Sequence, residues 1–190
     1  MDLLREQMLE KLRESKLVSD IQVFSELDST NQYLKELAKE GAKAGTVIIA
    51  NKQSAGRGRL GRSFFSPEGT GIYMSILLRP EMELQKSVRI TSMAAVAVAR
   101  AIERVSGIEA KIKWVNDIFL NGKKVCGILT ESGINAITGT LEYAVLGIGI
   151  NVGTIQFPEE LKDIATSICN ECNHTVTRTE LIIEILKELE

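Results

Sequence analysis

The sequence of 190 residues lacks an apolar run long enough to cross a membrane. Its longest strictly apolar stretch, at positions 93–99, falls far short of the roughly 20 residues that a transmembrane helix needs. The first residues, MDLLREQ, lack the basic start and the apolar centre of a signal peptide. We therefore expect a cytoplasmic protein with no membrane partner.

The sequence also lacks a basic excess and is poor in aromatic residues. It has 23 basic and 25 acidic side chains, a net charge of -2 and 5% aromatic residues. Such a chain has no overall field that would draw it to nucleic acid and few rings to stack on bases. We expect no DNA partner, and any anion has to be bound by a local cluster. A nucleic-acid-binding module that uses such a cluster on phosphates is the less favoured alternative.

Cysteine and histidine are scarce: there are three cysteines and one histidine, His174. An odd cysteine number in a chain of cytosolic character argues against a disulfide framework. Cys169, Cys172 and His174 form a C-x2-C-x-H pattern, but a structural zinc site normally has four ligands. We therefore expect no bound metal in this pattern. The single histidine also disfavours Ser-His-Asp and Cys-His catalysis.

Hydrophobic periodicity and turn residues predict helices and strands in a mixed order. The expected helices span about 3–15, 29–40, 84–105, 159–170 and 178–190. The expected strands span 21–27, 46–52, 71–80, 111–114, 117–120, 124–131 and 141–152, with a hairpin at Asn121-Gly122. This order predicts a single α+β domain over 1–190, with a mixed, largely antiparallel sheet covered by helices on one side.

The most unusual segment is Gly56-Arg57-Gly58-Arg59-Leu60-Gly61-Arg62. It fits G-x-G-x-x-G, but a dinucleotide-binding fold needs a helix to start at this loop, and SFFSPEGTG follows instead. Three glycines leave backbone amides free to surround an anion, and three guanidiniums can donate paired hydrogen bonds to carboxylate or phosphate. The segment therefore indicates an anion-binding loop, against the plainer reading of a basic surface loop.

Two further segments are candidates for the site. In the strand 111–114, alternation puts Lys113 on one face and Trp114 on the other, so Lys113 is expected to reach a site. The following Asn116-Asp117 is equally typical of an ordinary turn. Near the end of the last strand, Gly147 and Gly149 leave a bare stripe that a ligand can approach, or that fits tight packing.

Taken together, these segments resemble the biotin protein ligases, which biotinylate acetyl-CoA carboxylase and related enzymes. GRGRLGR resembles the GRGRxGR loop of that family, KWVNDI its KWPND segment, KVCGIL its K-(L/V)-x-G-I-L strand and GIGINV its G-x-G-I-N strand. Ser29-Thr30-Asn31 resembles its STN triplet. The resemblance runs in order from about residue 25 to the end, and it implies a catalytic fold related to class II aminoacyl-tRNA synthetases.

The resemblance also implies roles for individual residues. The catalytic residues would be Lys113, which contacts the biotin carboxylate and the α-phosphate, and Arg59. The biotin-binding residues would be Ser29, Thr30, Asn31, Gln53, Gly56, Arg57, Gly58, Arg59, Lys113, Gly127, Gly147 and Gly149. The ATP-binding residues would be Arg57, Arg59, Arg62, Ser75, Lys113 and Asn151, with Ser75 and Asn151 near the adenine and no protein metal site.

The implied reaction consumes biotin and ATP with Mg²⁺, forms biotinyl-5'-AMP, and transfers biotin to a lysine of a biotin carboxyl carrier protein. The resemblance allows a homodimer. Neither a helix-turn-helix domain before the ligase segment nor the small barrel after it is expected in 1–190. A non-catalytic biotin or nucleotide sensor with the same pocket is the alternative function.

Overall fold

The structure, a computed structural model, describes residues 3–135 and 138–190. Seven strands form one sheet in the order β1-β2-β3-β7-β6-β5-β4. They are β1 (Asp20–Phe24), β2 (Thr46–Ala50), β3 (Gly71–Leu78), β4 (Lys111–Lys113), β5 (Asp117–Leu120), β6 (Lys123–Ile134) and β7 (Leu141–Asn151). The β1–β2 pair is parallel and every other pair is antiparallel, which confirms the mixed, largely antiparallel sheet.

The helices pack on both faces of this sheet. They are α1 (Arg5–Lys11), α2 (Thr30–Lys39), α3 (Val88–Ser106), α4 (Ile168–Glu171) and α5 (Arg178–Leu189). The main core joins α1, α3 and α5 to one sheet face, where residues such as Met74 and Ile148 are buried. The α2 helix packs on the opposite face against Leu77 and Val145. The expectation of helices on one side is therefore wrong for α2.

The Asn121-Gly122 hairpin between β5 and β6 is confirmed. Both residues have positive φ, +47° and +83°, as the favoured two-residue hairpin turn requires. The turn places Lys123 opposite Leu120 and Gly127 opposite Asp117. It thereby fixes which residues of the KVCGIL segment lie beside the Asn116-Asp117 segment.

The expected helix at 159–170 is wrong. Turns occupy 159–164, and α4 begins only at Ile168, after the cap residue Ser167. The intervening backbone pairs with β6 instead, because Lys124 N donates to Ile164 O and Thr166 N donates to Lys124 O, both at 2.9 Å. A tertiary pairing thus replaces a helix that local periodicity favours. None of the helices within the described ranges is long and apolar enough to span a bilayer.

Candidate functional site

A cavity of about 240 Å³ with polar and apolar lining residues lies on the α2 face of the sheet, at the N-terminal end of that helix. Three glycines form part of its floor. Gly127 of β6 pairs with Gly149 of β7. Gly147, two residues before Gly149 in the chain, lies on the same face of β7. The sheet thus places the KVCGIL and GIGINV segments side by side. Because the three glycines have no side chains, the cavity extends down to the backbone of the sheet.

Two side chains occupy the space directly above these glycines. A Cβ added at Gly147 would lie 2.1 Å from Asn31 Oδ1, and one added at Gly149 would lie 2.7 Å from the Phe64 ring. The expected bare stripe is therefore a surface that the chain itself covers in part. Asn31 and Phe64 both line the cavity, so they form its inner wall.

We predict that Gly147→Ala lowers stability by about 1 to 3 kcal/mol, because the new methyl group overpacks the wall and displaces Asn31. Urea denaturation measures the stability, and isothermal titration with biotin measures the loss of affinity that displacement of Asn31 should cause. Gly153→Ala is the matched control, since its nearest atom would lie 3.5 Å away. Equal stability and biotin affinity in both variants would contradict this account of the wall.

The start of α2 supplies the neutral polar wall. Ser29 caps the helix by accepting from Gln32 N, which points the first turn at the cavity. Thr30 N donates to Gln53 Oε1 at 2.9 Å, and Gln53 Nε2 donates to Ser66 Oγ at 3.1 Å. Ser29, Thr30 and Gln53 all line the cavity, so the structure brings these predicted biotin-binding residues together.

Asn31 is held by a buried network behind this wall. Its Nδ2 donates to Glu131 Oε2 at 3.0 Å and to Leu129 O at 3.2 Å, while Ser75 Oγ lies 2.6 Å from its Oδ1. Lys35 Nζ donates to Glu131 Oε1 at 2.8 Å. Burial alone would raise the pKa of Glu131, but the hydrogen bonds from Lys35 and Asn31 outweigh it and hold that pKa below its usual value. Glu131 is therefore ionised at neutral pH.

The arginine-rich loop folds back on itself over the cavity. Gly58 N donates to Arg62 O at 2.7 Å and Phe64 N donates to Gly56 O at 2.9 Å. A 3-10 turn at Arg59–Gly61 forms its tip, where Leu60 is 90% exposed. The cavity lining includes Arg57, Gly58, Arg59 and Arg62, but not Gly56. The loop thus places all three of its guanidinium-bearing residues at one cavity.

A second charged cluster lies across the cavity from the loop. Lys124 Nζ donates to Asp117 Oδ1 at 2.7 Å, and Asn116 Nδ2 donates to the same oxygen at 2.8 Å. Arg59 Nη1 donates to Asn116 Oδ1 at 2.9 Å. Lys124, Asp117 and Asn116 have no assigned role in the sequence analysis, although they lie in its KWVNDI and KVCGIL segments. Those segments and the hairpin turn that sets Lys124 beside Asn116-Asp117 were the available signals.

Lys113 is not among the residues that line the cavity, and its catalytic role stays a prediction. Lys113 pairs with Asp117 across β4 and β5, so alternation does put it on the cavity face, but β4 is the outermost strand of the sheet and all three of its residues are exposed. Lys113 is exposed, and its Nζ lies 5.6 Å from the centroid of the Phe119 ring. Trp114 is 76% exposed and packs no wall of the site. The ammonium group that the structure brings to the cavity belongs to Lys124.

Two predicted adenine-side residues lie outside the lining. Ser75 is fully buried, and its hydroxyl contacts Thr30 and Asn31, so it supports the wall from behind. Asn151 ends β7, and its Nδ2 donates to Thr166 O at 3.0 Å. Its Oδ1 is buried and has no hydrogen-bond partner within 3–135 and 138–190.

The chemistry of the cavity follows from its mixed lining. The lining contains one carboxylate, Asp117, and four cationic residues, Arg57, Arg59, Arg62 and Lys124. This end is suited to binding anionic groups close together, which would otherwise repel each other. The end formed by Thr30, Asn31 and Gln53 is suited to a neutral polar group. Among the described lining residues there is no histidine or cysteine, so covalent catalysis of the Cys-His or Ser-His type has no support here.

A second cavity, of about 650 Å³, lies on the other face of the sheet near α3 and the end of α5. Its lining is mainly apolar, with residues such as Ile76, Met93 and Leu146. It includes none of the glycine or arginine residues singled out in the sequence. The smaller polar cavity is therefore the candidate active site.

Known proteins resemble this chain in sequence and in fold. Residues 23–151 match the model of the Biotin/lipoate A/B protein ligase family. The chain is 47% identical over 162 residues to the bifunctional ligase/repressor BirA of Bacillus subtilis. This match covers 84% of the present chain and 49% of BirA. The chain is 32% identical over 175 residues to the biotin--[acetyl-CoA-carboxylase] ligase of Mycobacterium tuberculosis, covering 90% of this chain and 62% of the relative. The chain thus spans about half to two thirds of the length of these relatives.

Among solved structures, a biotin protein ligase from Aquifex aeolicus in complex with biotin and ATP superposes with a TM-score of 0.75. The two sequences are 33% identical, and the match covers 89% of this chain and 68% of that one. The expected class II aminoacyl-tRNA synthetase-like fold is confirmed by this likeness.

Proposed function

Because the chain belongs to the Biotin/lipoate A/B protein ligase family, we propose that it activates biotin with ATP and transfers it to a lysine of a biotin carboxyl carrier protein. The observation that carries this proposal is the mixed cavity, where four cationic residues adjoin a neutral hydrogen-bonding wall. The neutral wall suits the ureido ring of biotin, and the cationic end suits a carboxylate beside a triphosphate. The Aquifex relative, which binds biotin and ATP, supports this pairing of ligands.

The first step joins two anions. A carboxylate oxygen of biotin attacks the α-phosphorus of ATP, the bond to the bridging oxygen breaks, and pyrophosphate leaves. In this step Lys124 and the loop arginines offset the negative charge that gathers around the phosphorus. Holding both substrates in one cavity further lowers the barrier by roughly 7 to 11 kcal/mol. Lys124 is the lysine that lines the cavity, and the role that the resemblance assigns to Lys113 stays a prediction.

In the second step the carrier lysine attacks the acyl carbon of biotinyl-5'-AMP, and AMP leaves. No side chain of the enzyme has to form a covalent bond in either step. The name of the Mycobacterium relative, an acetyl-CoA-carboxylase ligase, supports a carboxylase carrier domain as the acceptor. The expected homodimer and the expected absence of DNA binding remain predictions.

Mg²⁺ belongs to the proposal as the ion that accompanies ATP and offsets phosphate charge. Magnesium usually needs only one or two protein carboxylates besides phosphate oxygens and water. Asp117 is the carboxylate among the described lining residues, so the donor set of the cavity fits this requirement. Asp117 also accepts a hydrogen bond from Lys124, so the same carboxylate would hold both cations.

The test of this function is mass spectrometry of a biotin carrier domain after incubation with the protein, biotin and MgATP. We expect the carrier to gain one biotinyl group, and to stay unmodified when either biotin or ATP is omitted. Binding of biotin without pyrophosphate release would instead support the non-catalytic sensor. Absence of both binding and transfer would reject the proposal.

We predict that biotin and ATP together slow amide hydrogen exchange across the loop 56–63 more than in any other segment. A glycine-rich loop with three cationic residues gains order when anions neutralise them. Exchange measured by mass spectrometry, with and without both ligands, checks this prediction. The buried strand β2 serves as the internal control. Equal protection of the loop with and without the ligands would contradict the prediction.

A further inference from the structure

Building on the proposed function, we infer that Glu171 is a positioning residue for the first step, because it anchors the segment 164–166 that holds Lys124 turned into the cavity. Glu171 does not line the cavity. It acts through the backbone of this segment and through a β-bulge in β6.

The β-bulge sets the direction of the Lys124 side chain. Ile118 of β5 pairs with Cys126 of β6, whereas the next residue of β5 pairs with Lys124. Val125 is therefore an extra residue, and both Val125 and Cys126 are buried in the main core. In a regular strand, alternation would put Lys124 on the same face as Cys126. The extra residue reverses the alternation, so Lys124 lines the cavity together with Gly127.

The bulge lies beyond the end of β7, so that strand does not support it. The pairing of β6 with β7 begins at Cys126 and Ile150. Two residues before Cys126, Lys124 N donates to Ile164 O and Lys124 O accepts from Thr166 N, both at 2.9 Å. The segment 164–166 thus takes the place of a strand beside the residue whose side chain enters the cavity.

Glu171 ties this segment to the hairpin turn that precedes β6. One carboxylate oxygen accepts from Thr166 Oγ1 at 2.5 Å, and the other accepts from Asn121 Nδ2 at 2.7 Å. The hydrogen bond from Thr166, and less so the one from Asn121, holds the pKa of Glu171 below its usual value. Glu171 is therefore ionised at neutral pH and accepts from both. Because Thr166 is buried, water does not readily replace Glu171 there.

We expect Glu171→Ala to slow adenylate formation by about 10- to 100-fold, which corresponds to the loss of a hydrogen bond to an ionised group. Without the anchor, the segment can separate from the Lys124 backbone. The bulge can then relax toward the regular register, which turns the ammonium group away from the cavity. Pyrophosphate release in a single turnover, with saturating biotin and MgATP, measures the rate.

The decisive measurement is a double-mutant cycle with Lys124→Ala. If Glu171 acts by placing the ammonium group, its loss has nothing to misplace once that group is removed. In the Lys124→Ala background, Glu171→Ala should therefore change the rate by less than about threefold. A general loosening of the fold would instead lower the rate by the same factor in both backgrounds.

A matched pair of variants tests the other end of the contact. Thr166→Val keeps the shape of the side chain but removes the hydroxyl group, and we expect it to slow adenylate formation at least about fivefold. Thr166→Ser keeps the hydroxyl group and should stay within about twofold of the wild type. Glu159→Ala is the control for charge, because it removes an exposed carboxylate whose ion pair with Lys162 lies on the surface. It should leave the rate unchanged.

Equal losses from Glu171→Ala in both backgrounds, or a wild-type rate in Glu171→Ala, overturn the inference. A Lys124→Ala variant that forms the adenylate at the wild-type rate overturns it as well. Failure of the wild-type protein to release pyrophosphate would overturn the proposed function instead. Urea denaturation checks that the variants fold. If Glu171→Ala does not fold, Thr166→Val takes its place in the cycle and the same results decide.

Discussion

Lys124→Ala is expected to slow adenylate formation by about 10²- to 10³-fold, the usual cost of losing one preorganised electrostatic contact in an active site. The substitution removes the ammonium group that lies 2.7 Å from Asp117. It also leaves the Asp117 carboxylate without that cation beside the phosphates. Pyrophosphate release in a single turnover, with saturating biotin and MgATP, measures the rate.

Lys113→Ala is the matched comparison for this prediction, because the resemblance assigns the catalytic role to Lys113. It removes the same kind of charge from a nearby exposed strand, but from a side chain that rests on Phe119 outside the cavity. If Lys124 is the lysine that acts on the phosphate, the rate of Lys113→Ala should stay within about tenfold of the wild type, because an exposed charge acts through water and is screened by salt. A larger loss in Lys113→Ala than in Lys124→Ala would reverse the assignment of the catalytic lysine.

Arg59→Gly is expected to let biotinyl-5'-AMP leave about 10- to 100-fold faster, while the first step survives in weakened form. The loop loses a guanidinium group that can bind the intermediate, and a charge-assisted hydrogen bond contributes roughly 1.5 to 3 kcal/mol. The released mixed anhydride would then acylate accessible lysines. Biotin incorporated into bovine albumin, measured in the presence of biotin and MgATP, reports this release.

Leu60→Gly separates the lost guanidinium from the added flexibility. Leu60 lies next to Arg59, has a φ of +56° and is 90% exposed. Glycine adopts this conformation readily, so the change loosens the loop without removing a charge. Albumin labelling by Leu60→Gly should stay near the wild-type level. Equal labelling by both variants would mean that loop flexibility, and not Arg59, controls retention.

Much of the fold was predictable because its signals are local. The Asn121-Gly122 turn and the strands around it depend on backbone preferences within a few residues. The helix expected at 159–170 failed for the opposite reason. Its backbone groups pair with Lys124 of a distant strand, and periodicity contains no information about such a partner.

The site was predictable as a set of segments, but not as a set of contacts. The arginine loop and the paired glycines were recognisable in the sequence, and they do meet at one cavity. Which lysine lines it depends on the place of β4 at the edge of the sheet and on how β5 pairs with β6. Glu131 carries no motif signal on its own, because its importance arises from the fold that sets it beside Asn31.

The contacts of Asn31 have a further consequence for how the protein folds. Asn31 is hydrogen-bonded to residues 98 and 100 positions later in the chain. Closing a loop of that length costs entropy before any contact repays it, so we expect this pairing to form late on the folding pathway. On that expectation the cavity is complete only after the folding transition state. A bound ligand should accordingly slow unfolding and leave the refolding rate almost unchanged. Ligand binding in the cavity would then protect the folded protein against unfolding kinetically.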